Sequence, residues 1–357
     1  MRITLTCCAA LVLGIVCTAR ADLTESLKTG AMDIKQAGQL AFAPDGVLFI
    51  GDAQQGAIYA IATGDIAGDP SSVKVNVKGI DKQVAAMLGT TAGEILINDI
   101  AVNPASGNVY LSVSRGRGTG AAPALIRVDG AGKLSEVKLP EAKFAKAMLN
   151  NIPTSGNQRG QAITDLAYAN GKVIVAGLSN EEFASKLRTL DFPFGKSDGA
   201  SVEIYHGSHA ALETRSPVRT FVTLDIAGAP NVLAAYTCTP LVTFPIAELK
   251  GGAKVTGKTV AELGNGNSPL DMITYQKDGK EYLLLTNTKR GVMKVSTEEI
   301  TSVAAIRQHI AGTAGLKFET ISALTNVKQL DKLNGQSAVL LVAADGGESE
   351  LRTVPLP

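Results

Sequence analysis

The feature that most constrains this chain is a short hairpin pattern that recurs along it. The stretch INDIAVNPASGNVYLSVS, Ile97 to Ser114, alternates apolar and polar residues on either side of an Asn-Pro…Gly turn. Pro and Gly reverse the chain, and a period near two is typical of strands. The same pattern recurs in QLAFAPDGVLFIGD from Gln39, in TDLAYANGKVIVAG from Thr164 and in LDMITYQKDGKEYLLLTN from Leu270. A weaker copy, NVKQLDKLNGQSAVLLVA, begins at Asn326.

A hairpin repeated in this way predicts an all-β fold, a β-propeller, in which each blade buries its faces against its neighbours. Counting the irregular middle region as one further unit gives six blades, and seven is the alternative. Six blades leave roughly 56 residues for each, above the usual repeat of about 40–50. We assign the surplus to helical insertions between blade strands, at Pro140–Asn151, Ser179–Leu190 and Thr297–Ile310. The last copy is one strand short, so we expect the N-terminal strand 27–34 to close it.

The N-terminus predicts export. Residues 1–21, MRITLTCCAALVLGIVCTARA, combine a basic start, a short apolar run and a small-x-small site, which indicates a signal peptide cleaved near Ala21. Residues 22–357 then form a single propeller domain in the periplasm or outside the cell. Of four cysteines in the sequence, Cys238 alone lies beyond residue 21, so the mature chain has no internal disulfide.

Charge and hydropathy exclude some partners. Losing Arg2 and Arg20 with the signal peptide lowers Lys+Arg from 34 to 32 against 33 acids, a net charge of about −1. No basic patch favours nucleic acid, and no later segment is apolar for long enough to span a membrane. The expected partner is a small-molecule ligand or an extracytoplasmic protein.

The hairpins LAFAPDGVLFIG and IAVNPASGNVYLS resemble those of extracytoplasmic β-propellers of the NHL-repeat, YncE-like and SMP-30/gluconolactonase-like kinds. This resemblance implies the fold. It also implies that an SMP-30-type lactonase would hold a divalent metal with acidic and amide side chains near the ring axis. No lactonase motif matches residue by residue, so the resemblance assigns no catalytic residues here.

A first candidate site follows from position in the repeats. Asp99, Asp165 and Asp271 each precede the first apolar residue of an innermost strand, and Asn326 and Gln39 take the corresponding places in two other repeats. Innermost strands line a propeller's channel, so these side chains should gather near its mouth. They suit Ca²⁺, a polyol or a cationic ligand. The alternative is that each Asp caps free backbone N–H groups nearby.

A second candidate is the segment YHGSHAALE with the lone cysteine. His206, His209 and Glu213 have a spacing that suits a metal, and Cys238 could join the two histidines to bind copper or zinc. The alternatives are an exposed loop with incidental histidines and a cysteine buried in the core.

These observations favour a binding scaffold for a ligand or partner protein, with a rim formed by residues 141–160, 178–200 and 206–215. Two enzyme classes compete with it. One is a metal-dependent hydrolase or lactonase with axial carboxylates, and the other is a metal or redox protein built on the Cys-His loop.

Overall fold

A computed structural model describes residues 22–357 apart from Ser155, Thr239 and Asp345. It is mostly β, with 48% of residues in strands and 9% in helices, and its six small sheets form a six-bladed β-propeller. The fold and the blade number predicted from the hairpins are thereby confirmed. The predicted signal peptide lies outside the described residues. None of the helices in the described part is long and apolar enough to cross a membrane.

We number the blades I to VI by the order of their innermost strands along the chain. Strands are listed from the axis outwards. Blade I contains Leu40–Phe42, Val47–Asp52, Ala57–Ala62 and Phe144–Met148; blade II contains Ile95–Val102, Val109–Arg115, Ala122–Val128 and Leu134–Glu136; blade III contains Asp165–Ala169, Lys172–Leu178, Ser185–Asp191, Ser197–His206 and Ala211–Glu213, with Lys254–Thr256 paired in parallel to Ser197–His206.

The other three blades follow the same plan. Blade IV contains Thr220–Ile226, Ala229–Ala235, Pro240–Pro245, Lys258–Leu263 and Thr313–Gly315; blade V contains Pro269–Lys277, Lys280–Asn287, Gly291–Ser296 and Phe318–Thr320; blade VI contains Val327–Lys332, Ser337–Ala343, Ser349–Pro355 and Asn76–Val77. The helices are short: α-helices at Ile80–Met87 and Gly156–Arg159, and 3₁₀ turns at Leu23–Ser26, Ala92–Glu94, Gly118–Gly120, Leu139–Glu141, Gly207–His209 and Ile246–Glu248.

Turn chemistry explains why the inner hairpins form where they do. Asn170 and Gly171 both have positive φ, 51° and 75°, between the paired residues Ala169 and Lys172. Asn and Gly accept this left-handed backbone, which matches the twist of two antiparallel strands. The strands that follow these turns are buried on both faces; all six residues of Val47–Asp52 are buried. Their near-continuous apolar sequence therefore follows from packing between two neighbouring blades.

The blades do not follow one another around the ring in chain order. Contacts between innermost strands give the order I, III, IV, V, VI, II, and blade II touches blade I to close the circle. The chain leaves blade I after three strands, adds Asn76–Val77 to blade VI and then builds blade II. It returns with Phe144–Met148 to complete blade I. Two blades are thus completed by strands from distant parts of the chain.

The prediction that residues 27–34 close the last blade is therefore wrong. Val77 pairs with Leu351 at that edge, whereas Lys28 forms an isolated bridge with Phe144 in blade I. An edge strand needs a partner within reach, and the chain supplies it from the segment after blade I.

The predicted helical insertions at the first two positions are strands instead. Pro140–Asn151 contains Phe144–Met148, and Ser179–Leu190 overlaps Ser185–Asp191 in blade III. Apolar residues four apart share a face in a strand as well as in a helix, and the neighbouring strand decides between them. At Thr297–Ile310 the described chain forms turns and irregular structure.

Candidate functional site

The innermost strands surround a cavity of about 370 Å³ at the axis of the ring. Its wall includes Asp99, Asp165 and Asp271, together with a fourth carboxylate, Asp331, that the sequence reasoning missed. Gln39 and Asn326 are not among the residues that line it, and their placement at the channel mouth stays a prediction. Among the lining residues, Lys332 is the one that carries a positive charge.

The register of the last repeat explains why the sequence pattern points to Asn326 and not to Asp331. Asn326 lies before the innermost strand of blade VI, with φ +56°, and its carbonyl accepts a hydrogen bond from Ala343 N–H. The pairing of that strand shifts between Val327 and Gln329, and Asp331 comes only four residues before the turn glycine Gly335. The sequence feature that could have identified Asp331 is its position next to Leu330, closer to the turn than the aspartates of the other repeats.

Each of the four aspartates joins two blades. The carboxylate of Asp99 accepts the N–H of Ile100 in its own strand at 2.9 Å and that of Leu40 in blade I at 2.7 Å. The carboxylate of Asp165 accepts the N–H groups of Leu166 and of a residue in blade IV, both at 2.7 Å. In each case one oxygen serves each donor, so the carboxylate spans the junction between neighbouring blades.

Blades V and VI repeat the arrangement. Asp271 accepts the N–H of Met272 at 2.8 Å and that of Leu330 in blade VI at 2.9 Å. Asp331 accepts the N–H of Lys332 and that of Val102 in blade II, both at 2.7 Å. The aspartates therefore cap backbone N–H groups, as the alternative interpretation of the sequence predicts. Half of the capped N–H groups belong to a neighbouring blade.

Burial dominates the electrostatics of this wall. It raises the pKa of Asp99 and of Asp271 well above the ordinary value, that of Asp165 to about 7 and that of Asp331 to about 6. The backbone N–H donors act in the opposite direction, because they stabilise the ionised carboxylate. The charges of the other aspartates raise the pKa of Asp99 and Asp271 further. The cavity thus gathers carboxyl groups that repel one another when ionised.

The second candidate site lies off the axis, between blades III and IV. His206 ends the strand Ser197–His206, His209 lies in the 3₁₀ turn that follows, and Cys238 lies in the turn between the second and third strands of blade IV. One ligand atom from each of the three lies within 4.8 Å of the other two. In the described part of the chain, this is the one group of three or more His, Cys, Asp or Glu residues with ligand atoms so close.

Glu213 lies beside both imidazoles. Its Oε1 is 2.9 Å from Nδ1 of His206 and 2.5 Å from Nδ1 of His209, and Ser216 donates to its other oxygen. Burial pushes the pKa of Glu213 up, but the hydrogen bonds from His209 and Ser216 outweigh it, so its pKa lies below the ordinary value. An ionised carboxylate only accepts hydrogen bonds, so both Nδ1 atoms carry the hydrogen.

Burial also affects two acid–base groups at the loop His206–His209. Burial lowers the pKa of His206, which favours the neutral imidazole. Beneath the loop, burial raises the pKa of Glu262 to about 7, although Gly207 N–H donates to its Oε1 at 2.6 Å. Nothing local in the sequence distinguishes Glu262 from other strand residues, so its place in this site follows only from the structure.

Cys238 is half-buried, so the expectation of a fully buried core residue does not hold. Its φ is +64°, a left-handed conformation that is uncommon for residues other than glycine, and its N–H donates to the carbonyl of Asn267 at 2.7 Å.

No family model matches this chain, and no curated protein sequence matches it. Solved structures of similar fold include a GH43 glycoside hydrolase engineered for endo-xylanase and exo-arabinofuranosidase activity, at 13% identity over 74% of this chain and a TM-score of 0.37. This chain spans only 52% of that one. The PQQ-bound aldose sugar dehydrogenase of Streptomyces coelicolor shares 12% identity over 92% of this chain and 96% of its own, with a TM-score of 0.38.

Native arabinanase Arb43A of Bacillus subtilis shares 14% identity over 73% of this chain and 94% of its own, with a TM-score of 0.37. Likeness at this level concerns the fold alone. Membership of the NHL-repeat, YncE-like or SMP-30-like group stays a prediction.

Proposed function

We propose that this protein is an exported binding propeller whose axial cavity takes a small organic cation. The observation that carries the proposal is the charge of the cavity wall, where four aspartates face a single lysine. A primary ammonium group donates charge-assisted hydrogen bonds to carboxylates and offsets their mutual repulsion. Export rests on the N-terminal sequence, residues 1–21.

The geometry favours an organic cation over a bare metal ion. A directly coordinated Ca²⁺ needs several oxygen ligands at 2.3–2.6 Å. In the described chain, the channel aspartates are not among the residues whose donor atoms lie within 4.8 Å of one another. A cavity of about 370 Å³ has room for a chain of several carbon atoms, and Phe42, Tyr168 and Ile273 provide apolar and aromatic wall for it. The hydrolase or lactonase with an axial metal remains the alternative function.

Isothermal titration calorimetry with putrescine, calcium chloride and sorbitol tests this proposal. We expect putrescine to bind, and to bind more tightly at pH 8 than at pH 6. The carboxyl groups with raised pKa are more ionised at the higher pH, and only the ionised form attracts the ligand. Asp271→Asn should weaken binding at least about tenfold, a loss of roughly 1.4 kcal/mol.

Asp225→Asn is the matched control, because Asp225 is an exposed aspartate on the innermost strand of blade IV that does not line the cavity. Equal affinity of the two variants for putrescine would refute an axial site. Binding of sorbitol alone would transfer the proposal to a neutral polyol.

A further inference from the structure

We propose that His206, His209 and Cys238 bind one copper ion between blades III and IV. This centre is separate from the axial cavity, none of whose lining residues belongs to it. It rests on the convergence of three donors from two blades, which are joined around the site by hydrogen bonds such as Thr259 Oγ1 to the carbonyl of Tyr205 at 2.7 Å.

The spacing of the donors suits one ion. Bonds of about 2.0–2.1 Å to imidazole nitrogen and about 2.3 Å to sulfur hold donors no more than roughly 4.4 Å apart. The three ligand atoms already lie within 4.8 Å of one another. The side chain of His209 is 53% exposed, so it can make the small remaining movement without disturbing packed neighbours.

The hydrogen bonds around the histidines prepare both of them for the same role. Glu213 faces both Nδ1 atoms, so in the neutral imidazoles Nε2 is the nitrogen whose lone pair points away from the carboxylate. A carboxylate on the far nitrogen is the usual outer partner of a metal-binding histidine, since it fixes the ring and raises its basicity. Nε2 of His206 now contacts Ser208 Oγ at 2.9 Å, a neutral hydroxyl that a metal ion can replace.

Cys238 and Glu262 supply two further observations. Cys238 is kept at φ +64°, and strained backbone of this kind concentrates at functional positions. Glu262 is 1% exposed, and its Oε2 has no hydrogen-bond partner in the described structure. Its Oε1 holds Gly207, which lies between the two histidines in sequence. A buried acidic side chain with an unpartnered oxygen under the loop is a group that a cation bound nearby would stabilise.

The donor set points to copper rather than to a harder ion. One thiolate with two imidazoles is the combination that copper sites use, and a given site of nitrogen and sulfur donors generally binds Cu²⁺ more tightly than Zn²⁺. Calcium is excluded at this position because it requires oxygen ligands.

Metal titration of residues 22–357 tests the assignment; this segment contains the strands of all six blades and none of the other cysteines. Copper and zinc salts are added to chelator-treated protein, separately and in competition. We expect one copper per chain by elemental analysis, displacement of zinc by copper, and a thiolate-to-Cu(II) absorption band in the visible spectrum. Cys238→Ser should abolish the band, and His209→Ala should lower copper affinity at least about 100-fold.

His309→Ala is the control, since His309 is an exposed histidine outside the group. It should leave affinity and absorption unchanged. Glu213→Gln should lower affinity about 10–100-fold while keeping the thiolate band, because it acts through the imidazoles. Circular dichroism of the metal-free variants separates loss of the site from loss of the fold. Stoichiometric zinc that resists copper would overturn the choice of metal, and equal copper affinity in His209→Ala and His309→Ala would overturn the site.

Discussion

At the scale of single residues, the channel aspartates combine two roles that are usually assigned to different side chains. Each carboxylate accepts backbone N–H groups from two blades, as Asp165 does from Leu166 and Phe221. The same groups line the axial cavity with four carboxyl groups. A side chain that holds the ring together therefore also sets the charge that a ligand meets, and a substitution there changes both.

The raised pKa of Asp165 predicts how stability depends on pH. In the folded protein its pKa is about 7, against 3.8 in the unfolded chain. The folded state therefore binds more protons between about pH 4 and pH 7, so this contribution to the free energy of unfolding falls as the pH rises through that range. Asp165→Asn removes the titratable group and one of the two oxygens that accept backbone N–H groups. We expect this substitution to destabilise the protein by about 1–3 kcal/mol at pH 5 and by less at pH 8.

Urea unfolding of both proteins at the two pH values measures this difference. Asp225→Asn, the exposed control, should give the same small change at both. A destabilisation by Asp165→Asn that grows from pH 5 to pH 8 would contradict the raised pKa.

At the scale of elements, local turn chemistry and close packing of the hairpins decide the blades. The turn at Asn170-Gly171 could be recognised directly in the sequence. The strand Phe144–Met148 could not, because its apolar spacing also fits a helix. This segment is a strand because it pairs with Ala57–Ala62, which lies some 80 residues earlier in the chain.

Glycine inside a blade is required where backbones approach closely. A Cβ added to Gly177 would lie 2.1 Å from the carbonyl oxygen of Ala162, a contact that only backbone movement can relieve. We expect Gly177→Ala to destabilise the protein by about 1–3 kcal/mol. Gly335→Ala is the control, since no atom lies within 4 Å of its added Cβ. Thermal unfolding should separate the two variants clearly, and equal midpoints would contradict the close approach.

At the scale of the whole molecule, two blades are completed by distant strands. Blade VI takes Asn76–Val77 from the segment after blade I, and blade I takes Phe144–Met148 from the segment after blade II. The N-terminal and C-terminal thirds of the chain are thereby interleaved. Blades I and VI therefore both have an outer strand. The ring also depends on pairing between segments that are far apart in the sequence.

The closure of blade VI can be tested at Val77, which is 6% exposed and paired with Leu351. Val77→Asp buries an unpaired carboxylate and should cost about 2–4 kcal/mol. Hydrogen exchange should accelerate over Ser349–Pro355, the strand that loses its partner. Lys78→Asp, at the exposed neighbouring position, should leave exchange there unchanged. Unaltered protection of Ser349–Pro355 in Val77→Asp would show that Asn76–Val77 does not complete blade VI.

From the sequence alone follow the hairpins, six blades with seven as the alternative, and the segments that carry Asp99, Asp165 and Asp271. Turn residues and alternating burial act over a few neighbouring positions, so local patterns reveal them. It also singled out His206, His209 and Cys238 as residue types able to share a metal. The tertiary structure was needed to establish the ring order, the strand that completes blade VI, the inclusion of Asp331 in the cavity wall and the approach of Cys238 to the histidines. Those features depend on strand pairing and packing between residues far apart in the chain, which local patterns do not encode.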